Sequence, residues 1–205
     1  MKGKVCVAFV LFLLTACSAA VVHKINFSRD YNPTAINRIA ILNFNRGDQV
    51  TLHRDIIADK FTAALVDSKF KLVDRTDIRK VMEEIKFQQT DSGIIDDTTK
   101  QKLKQLGADT VLTGTLHTYK EDRRNNFVHF AEVYLTAKLL KVETGEVLWS
   151  GEIMKNDKAK NVGEKKILNI IDRESEAASA GKLLDDVIDE MAASFKEKKK
   201  LLGII

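Results

Sequence analysis

Apolar positions along the first part of the chain alternate between strand-like runs and helical stripes. Residues 38–44 form a short apolar run of the kind found in strands that are buried on both faces. Ile57, Phe61 and Leu65 then recur at helical spacing, which predicts a first helix. Residues 70–74 are a further strand candidate. The order strand, helix, strand indicates an α/β fold.

Polar caps mark two further helices. Thr76 or Asp77 can cap the first of them, and residues 96–99 offer an N-cap for the second, which Gly107 can end in the left-handed conformation. The residues expected to face inward from the first of these helices are Ile78, Val81, Met82 and Ile85. Both helices are expected to connect the strand at residues 70–74 to the next strand, at residues 108–116.

Strict alternation of apolar and polar side chains then replaces the helical spacing. Residues 108–116 are rich in β-branched side chains, with Gly114 marking a bulge or a close backbone approach. Residues 127–142 alternate throughout, and residues 143–152 form a glycine-containing turn and a returning strand. One face of the alternating strand carries Val133, Leu135, Ala137 and Leu139, and the other carries Glu132, Tyr134, Thr136 and Lys138. We predict a half-buried antiparallel hairpin, with Trp149 packed on the core.

A long amphipathic helix is predicted from about residue 174 to residue 200. Its apolar stripe is regular enough to be core and consists of Ala180, Leu184, Val187 or Ile188, Met191 and Phe195. The tail 201–205 is also apolar and either packs back on the sheet or meets a partner. The predicted fold class is therefore α/β, a mixed sheet with helices packed on it in the order β-α-β-α-α-β-β-β-α.

The N-terminus has the layout of an export signal. Residues 1–4 are short and basic, and residues 5–14 form an apolar run of about ten residues, whereas a helix needs about 20 to cross a membrane. Residues 14–17, Leu-Thr-Ala-Cys, resemble the bacterial lipobox. This resemblance implies cleavage before Cys17, a lipid such as palmitate on Cys17, and sorting to the outer membrane through Ser18. The alternative is an ordinary secretory peptide with a cysteine at its cleavage site.

Composition narrows the class of protein without identifying it. Of the 2 cysteines, Cys6 would leave with the signal and Cys17 would carry the lipid, so no disulfide is expected. The formal net charge of +4, with acidic and basic residues interspersed, gives no sign of a nucleic-acid partner. Residues 1–16 are assigned to the signal peptide, 17–37 to a lipidated N-terminus and tether, and 38–205 to one domain.

Motifs that would carry catalysis, a cofactor or a metal are absent from the sequence. It has no phosphate-binding glycine loop, no His-Glu-x-x-His helix, no Cys-x-x-Cys pair and no nucleophile elbow. The 4 histidines, His23, His53, His117 and His129, do not have metal-ligand spacing. His129 is expected to be a partly exposed sheet residue. No catalytic, cofactor-binding or metal-binding residue is assigned, and an enzyme is not expected.

Four stretches resemble, in a common order, the curli secretion channel family (CsgG) and its small relatives, the LpoB-type activators of penicillin-binding proteins and the TolB N-terminal-like domains. They are residues 38–44, 70–89, 106–114 and 142–148. Their order, behind a lipobox, carries the resemblance. It implies a CsgG/TolB N-terminal-like domain that faces the periplasm, is lipid-anchored at the bacterial outer membrane, and assists assembly in the cell envelope.

The resemblance to the curli channel does not extend to its pore. That channel adds two transmembrane hairpins per subunit, and each spanning strand needs about 9–11 residues with one lipid-facing side. At the first hairpin position residues 119–126 are short and charged, and at the second residues 156–166 have no apolar face. A pore made by this chain alone is not expected.

Three functions follow from the resemblance, in this order. The first is an accessory module of curli-type assembly and secretion, without a pore of its own. The second is an LpoB-like activator of a penicillin-binding protein in peptidoglycan synthesis. It is ranked lower because such an activator must reach from the outer membrane to an enzyme at the inner one, and a tether of about 20 residues spans at most roughly 70 Å. The third is a subunit of an oligomeric CsgG-like channel. The expected partners are the membrane, through the lipid anchor, and an envelope protein, with a homo-oligomer left open and no nucleic acid.

Overall fold

A computed structural model describes residues 22–84, 96–162 and 173–195. They form a seven-stranded mixed sheet with helices on both faces, and a separate two-stranded sheet. The strands are β1 (His23–Phe27), β2 (Arg38–Ile41), β3 (Asn45–Arg46), β4 (Lys71–Leu72), β5 (Thr110–Arg124), β6 (Phe127–Lys141), β7 (Val147–Lys158), β8 (Lys160–Val162) and β9 (Arg173–Ser175). The helices are α1 (Arg54–Val66), α2 (Arg75–Glu84), α3 (Asp97–Gln105) and α4 (Ala180–Ser194). The predicted α/β fold class is confirmed.

The large sheet combines a parallel part and an antiparallel part. Its order is β1-β7-β6-β5-β2-β4, and β3 pairs with β5. β2 runs parallel to both β4 and β5, whereas β5, β6, β7 and β1 are antiparallel neighbours. Parallel neighbours require crossovers, which α1 provides before β4, and α2 and α3 provide before β5. The antiparallel strands need only turns, and β5 meets β6 at Asn125 and Asn126, with φ of 49° and 68°.

Two apolar clusters lie on opposite faces of the sheet. The larger cluster lies against α1 and α4, and the smaller lies against α2 and α3. Side chains alternate along β2 and the residue that follows it: Ile39 and Ile41 enter the larger cluster, whereas Ala40 and Leu42 enter the smaller. The predicted burial of this strand on both faces is therefore confirmed.

Helix α4 covers the larger cluster. Its stripe is buried as predicted, through Ala180, Leu184, Val187, Ile188, Met191 and Phe195. The Trp149 ring meets the Phe195 ring edge-on at 4.5 Å between centroids, and Trp149 Nε1 donates to Ser194 Oγ at 3.0 Å. The helix begins later than predicted because residues 173–175 form β9 and Ser179 is the N-cap, accepting from the N–H of Lys182. The predicted continuation to residue 200 and the apolar tail lie outside the described residues.

The predicted helix ends and turns are confirmed at three positions. Asp96 caps α3, because its Oδ1 accepts the N–H of Thr99 at 2.7 Å. Gly107, after α3, and Gly145, in the turn between β6 and β7, have φ of 75° and 76°. An L side chain rarely adopts this conformation, so glycine suits both sites.

Helix α2 begins earlier than predicted. Its cap is Asp74, whose Oδ1 accepts the N–H of Thr76 at 2.7 Å, and this hydrogen bond is the main cause that lowers the pKa of Asp74. Neither Thr76 nor Asp77 is therefore the cap. Of the residues predicted to face inward, Ile78 is buried, Val81 and Met82 are half-buried, and Ile85 lies outside the described residues.

Strand β1 lies inside the stretch that we expected to be a tether. It pairs antiparallel with β7, from His23 opposite Ile153 to Phe27 opposite Trp149. After it, Tyr31 is only 1% exposed, and its hydroxyl donates to the carbonyl oxygen of Phe195 at 2.8 Å. Burial raises the pKa of Tyr31 to about 12. The folded unit therefore begins before residue 38, and a lone edge strand was too short to show a period in the sequence.

Candidate interaction surface

The histidines lie on separate elements. His23 is in β1 with Nε2 2.6 Å from Glu190 Oε1, His53 is the N-cap of α1, and His129 is half-buried in β6, as predicted. Within the ranges that the structure describes, no group of three or more His, Cys, Asp or Glu side chains is placed to hold a metal ion. In the same ranges, no helix has the length and apolar character needed to cross a membrane. Cys17, the predicted lipid attachment residue, lies outside them.

The antiparallel strands present a polar face on the side of the sheet opposite α4. Because side chains alternate along a strand, the residues between the buried positions of β6 and β7 point away from the larger cluster. This confirms the predicted outward set that includes Tyr134 and Thr136. We call the following residues the open sheet face: Lys24 and Asn26 of β1, His117 of β5, Tyr134, Thr136 and Lys138 of β6, and Ser150 and Glu152 of β7.

Tyr134 and Glu152 form the centre of the open sheet face. The Tyr134 hydroxyl donates to Glu152 Oε1 at 2.7 Å, and Lys24 Nζ lies 3.5 Å from Glu152 Oε2. The hydrogen bond from Tyr134 is the main cause that lowers the pKa of Glu152, and the same bond is the main cause that raises the pKa of Tyr134. Glu152 is therefore an ionised acceptor at neutral pH, and Tyr134 keeps its proton.

His117 joins this centre through a β-bulge. The register of β5 against β6 shifts between Leu116 and Thr118, so His117 is the extra residue. Its ring stacks on Tyr134 with 4.7 Å between centroids, and its Nε2 lies 2.9 Å from Thr136 Oγ1. Burial lowers the pKa of His117 and outweighs the opposing effect of the Glu152 carboxylate. Three strands thus fix a neutral imidazole, a phenol and a carboxylate side by side.

Tyr134→Phe tests this electrostatic assignment. The substitution removes the hydroxyl that stabilises the ionised form of Glu152, so the pKa of Glu152 should rise towards its ordinary value of 4.5. NMR titration of the Glu152 side-chain carboxyl measures the shift. Glu190, which pairs with Lys155 on the other face at 2.7 Å, serves as the internal control and should not move. An unchanged Glu152 titration would contradict the hydrogen bond.

A second polar cluster, around Arg75, escaped the sequence analysis. The Arg75 side chain is 12% exposed, and its Nη1 donates to the carbonyl oxygen of Ile41 at 2.6 Å and its Nη2 to Asn43 Oδ1 at 2.7 Å. Its Nε donates to Asp59 Oδ1 at 3.2 Å. These bonds join the end of β2 to α1 and α2. Because the donors are used within the fold, we read this cluster as structural.

Comparison with known proteins shows what this chain is similar to. A family model described as peptidoglycan-synthase activator LpoB matches residues 45–154. No curated protein sequence matches the chain significantly. Among solved structures, the PelC dodecamer from Paraburkholderia phytofirmans has a TM-score of 0.56 at 9% identity, covering 88% of this chain and 100% of that one. Lipoprotein GNA1162 from Neisseria meningitidis has a TM-score of 0.50 at 16% identity, covering 77% of this chain and 99% of that one.

The LpoB C-terminal domain from Salmonella enterica is also similar, with a TM-score of 0.44 at 18% identity, covering 58% of this chain and 82% of that one. At these identities the likeness to solved structures concerns the fold alone. The family match bears on function because the family is described by what it does. The matched residues include β3, β5, β6 and most of β7. Those elements carry all of the open sheet face except Lys24 and Asn26.

The family match corrects the predicted order of functions. It identifies LpoB and not the curli channel family, so the curli-type accessory function is wrong, and the CsgG-like channel subunit has no support. The short stretches used for the resemblance are common to related α/β domains and do not separate one family from another. The length of the expected tether then placed the LpoB-like activator, which the family match favours, second in the predicted order. The match spans residues 45–154, which is more than half of the length of this chain. The chain therefore belongs to the LpoB family, which is described as peptidoglycan-synthase activators.

Proposed function

We propose that this chain activates a peptidoglycan synthase of the cell envelope by direct contact and is not itself an enzyme. The observation that carries the proposal is the family match over residues 45–154. The family is described by its action on a synthase, so the partner we propose is a penicillin-binding protein that polymerises peptidoglycan. This was the second function in the order derived from the sequence.

The open sheet face is the surface we propose for this contact. Its central side chains are held by one another, since Tyr134 bonds Glu152 and its ring stacks on His117. Side chains that are already ordered lose less entropy when a partner binds, and tyrosine is enriched among the residues that dominate binding energy. The face therefore offers an aromatic anchor, within a ring of polar groups that can pair with a partner.

The test measures glycan polymerisation by the peptidoglycan synthase of the same organism with a fluorescent lipid-linked precursor. Adding the full lipidated chain in detergent should raise the rate several-fold. Tyr134→Ala should remove most of this stimulation, because losing a central aromatic contact costs about 2 kcal/mol of binding. Asp189→Ala, on the exposed side of α4, is the matched control and should stimulate like the unaltered chain. A synthase whose rate is unaffected by the unaltered chain would refute the proposal.

We further propose that Cys17 carries the lipid and holds the domain at the outer membrane, facing the periplasm. The support is the lipobox-like Leu-Thr-Ala-Cys at residues 14–17. Cys17→Ala should remove the acyl chains and shift the protein from the membrane fraction, which fractionation and mass spectrometry of the N-terminal peptide can measure. Cys6→Ala is the control, because that residue would be lost with the signal peptide. Unchanged membrane association of Cys17→Ala would count against the anchor.

The position of β1 limits how far such an anchor can reach. The strand begins at His23, so the few residues between Cys17 and β1 span at most about 20 Å even when fully extended. In the proposed arrangement, the synthase must therefore bring its contact site close to the outer membrane. The distance across the periplasm is then covered by the partner and not by a long tether on this chain.

A further inference from the structure

Strand β5 has one edge that is only partly used. On one side it pairs with β6 from Thr110 to Arg124. On the other side it pairs with β2 from Thr110 to Leu112, and with β3 at Thr115 and Leu116. From residue 117 to residue 124, this second edge has no strand partner in the part of the chain that the structure describes. We call residues 117–124 the free edge.

The chain itself turns away at the start of the free edge. The N–H of Gly47 donates to the carbonyl oxygen of Leu116 at 2.9 Å, which is the last backbone hydrogen bond on this side within the described ranges. The N–H of Val50 then donates to the carbonyl oxygen of Gly47 at 3.0 Å and closes a turn. A Cβ atom at Gly47 would lie 2.7 Å from the carbonyl oxygen of His117, so glycine permits this close approach. Residues 48–50 and 117–120 then border an open depression of about 260 Å³.

An unpaired strand edge presents a row of backbone N–H and C=O groups. Every second residue of a strand directs these groups towards the same edge, so such a row is a template for another extended segment. Peptide recognition by strand addition uses this geometry, with main-chain hydrogen bonds giving affinity. The depression beside residues 117–120 provides the space for such a segment at the point where β3 stops.

Charges on the free edge favour an acidic partner. Arg123 Nε lies 2.5 Å from Glu121 Oε1, and Arg124 Nη2 lies 3.7 Å from Asp122 Oδ2, so these four side chains neutralise one another. Lys120 is exposed and has no ion pair among the described residues. Asp48 on the loop across the depression and Arg46 at the end of β3 are both exposed and carry opposite charges. Residues 117–124 carry three basic and two acidic side chains, so the charge on the free edge that has no ion pair in the described ranges is the ammonium group of Lys120, which lies opposite Glu132 of β6 in the register.

We propose that the free edge binds an extended segment of the peptidoglycan synthase, which adds to β5 as a strand and places an acidic side chain opposite Lys120. This inference rests on the proposed function and adds a second contact beside the open sheet face, with which it is continuous through His117. At the free edge the partner would bind through backbone hydrogen bonds, whereas at the open sheet face it would bind through side-chain contacts.

Hydrogen exchange on the full chain, alone and with the synthase, tests the location. Amides in residues 117–124 that face the free edge should be protected only when the synthase is present. If the synthase binds and activates while these amides stay unprotected, the strand-addition inference fails and the proposed function stands. If the synthase neither binds nor responds, both fail. Protection of the free edge in the chain alone at high concentration would point to a second copy as its occupant and would overturn the inference.

Short overlapping peptides that span the periplasmic part of the synthase test the mode of binding. One peptide with an acidic residue should bind the full chain, and N-methylation at alternate residues should abolish binding in one register and leave it intact in the other. Lys120→Glu should weaken this binding about tenfold through like-charge repulsion, whereas Lys182→Glu, an exposed lysine of α4, should not change it. Binding that is indifferent to N-methylation in both registers would overturn strand addition.

Discussion

Leu184→Asp is expected to unfold the domain. Leu184 is 1% exposed in the larger cluster, on the α4 stripe that covers the sheet. An unpaired carboxylate there has no hydrogen-bond donor, so its burial costs several kcal/mol, against a total stability of about 5–15 kcal/mol for a typical domain. Circular dichroism during thermal and urea unfolding measures the loss.

Lys182→Asp is the matched control for this substitution. It introduces the same side chain on the exposed side of the same helix, in the first turn, where a negative charge suits the helix dipole. Its unfolding midpoint should equal or slightly exceed that of the unaltered protein. A folded and stable Leu184→Asp protein would show that the stripe is not core and that this face of α4 is accessible to a partner.

Gly114→Ala should also destabilise the domain strongly, for a backbone reason. A Cβ atom at Gly114 would lie 2.1 Å from the carbonyl oxygen of Thr136 and 2.6 Å from Cε1 of Phe44. The carbonyl belongs to the neighbouring strand β6, so relief of the clash requires the two longest strands to separate locally. We expect a loss of about 3 kcal/mol, which corresponds to a fall in Tm of about 10 °C.

The same change at Gly181 is the control. A Cβ atom there would meet nothing closer than the Tyr119 hydroxyl oxygen at 3.8 Å, and Gly181 lies within α4. Alanine is the better helix former by up to about 1 kcal/mol, so Gly181→Ala should leave Tm unchanged or raise it. Equal effects at both glycines would mean that the close approach at Gly114 does not exist in solution.

The sequence predicts the buried parts of this fold well, because burial imposes a period. Leu184, Met191 and Phe195 repeat with the helix, and Val133 and Leu135 alternate with the strand, so both elements were assigned correctly. Elements that bury little left no such pattern. β1 lies within the stretch that was assigned to a tether, and β9 overlaps the start of the predicted C-terminal helix.

The end of β5 was missed for the same physical reason. The prediction stopped at residue 116, whereas the strand continues to Arg124. Residues 117–124 are charged and polar, since one side of this segment is open to solvent, and only pairing with β6 makes it a strand. Of the segment 119–126, whose charge argued against a spanning hairpin, residues 119–124 belong to β5, with a register shift between Asp122 and Arg123, and residues 125–126 form the turn.

The candidate surface could be predicted only in part. Alternation placed Tyr134 and Thr136 on the outward face of their strand, and this was right. The register between strands determines which residues of the other strands lie beside them. Here the register depends on a β-bulge at His117, and no turn residue in the sequence indicates that bulge. The cross-strand partners Glu152 and Lys24 therefore became visible only in the folded structure.

The direction of β1 determines how the domain would respond to mechanical force. The lipid that we propose on Cys17 would pull on the N-terminal end of β1, in the simplest case along the axis of the strand. The hydrogen bonds to β7 run perpendicular to that axis, so the five residue pairs of the ladder would be loaded together in shear and not opened one after another. Shear loading spreads the force over the whole ladder. In the proposed arrangement, with the domain between a membrane and the synthase, β1 at one edge of the sheet would thus be a strong point of attachment.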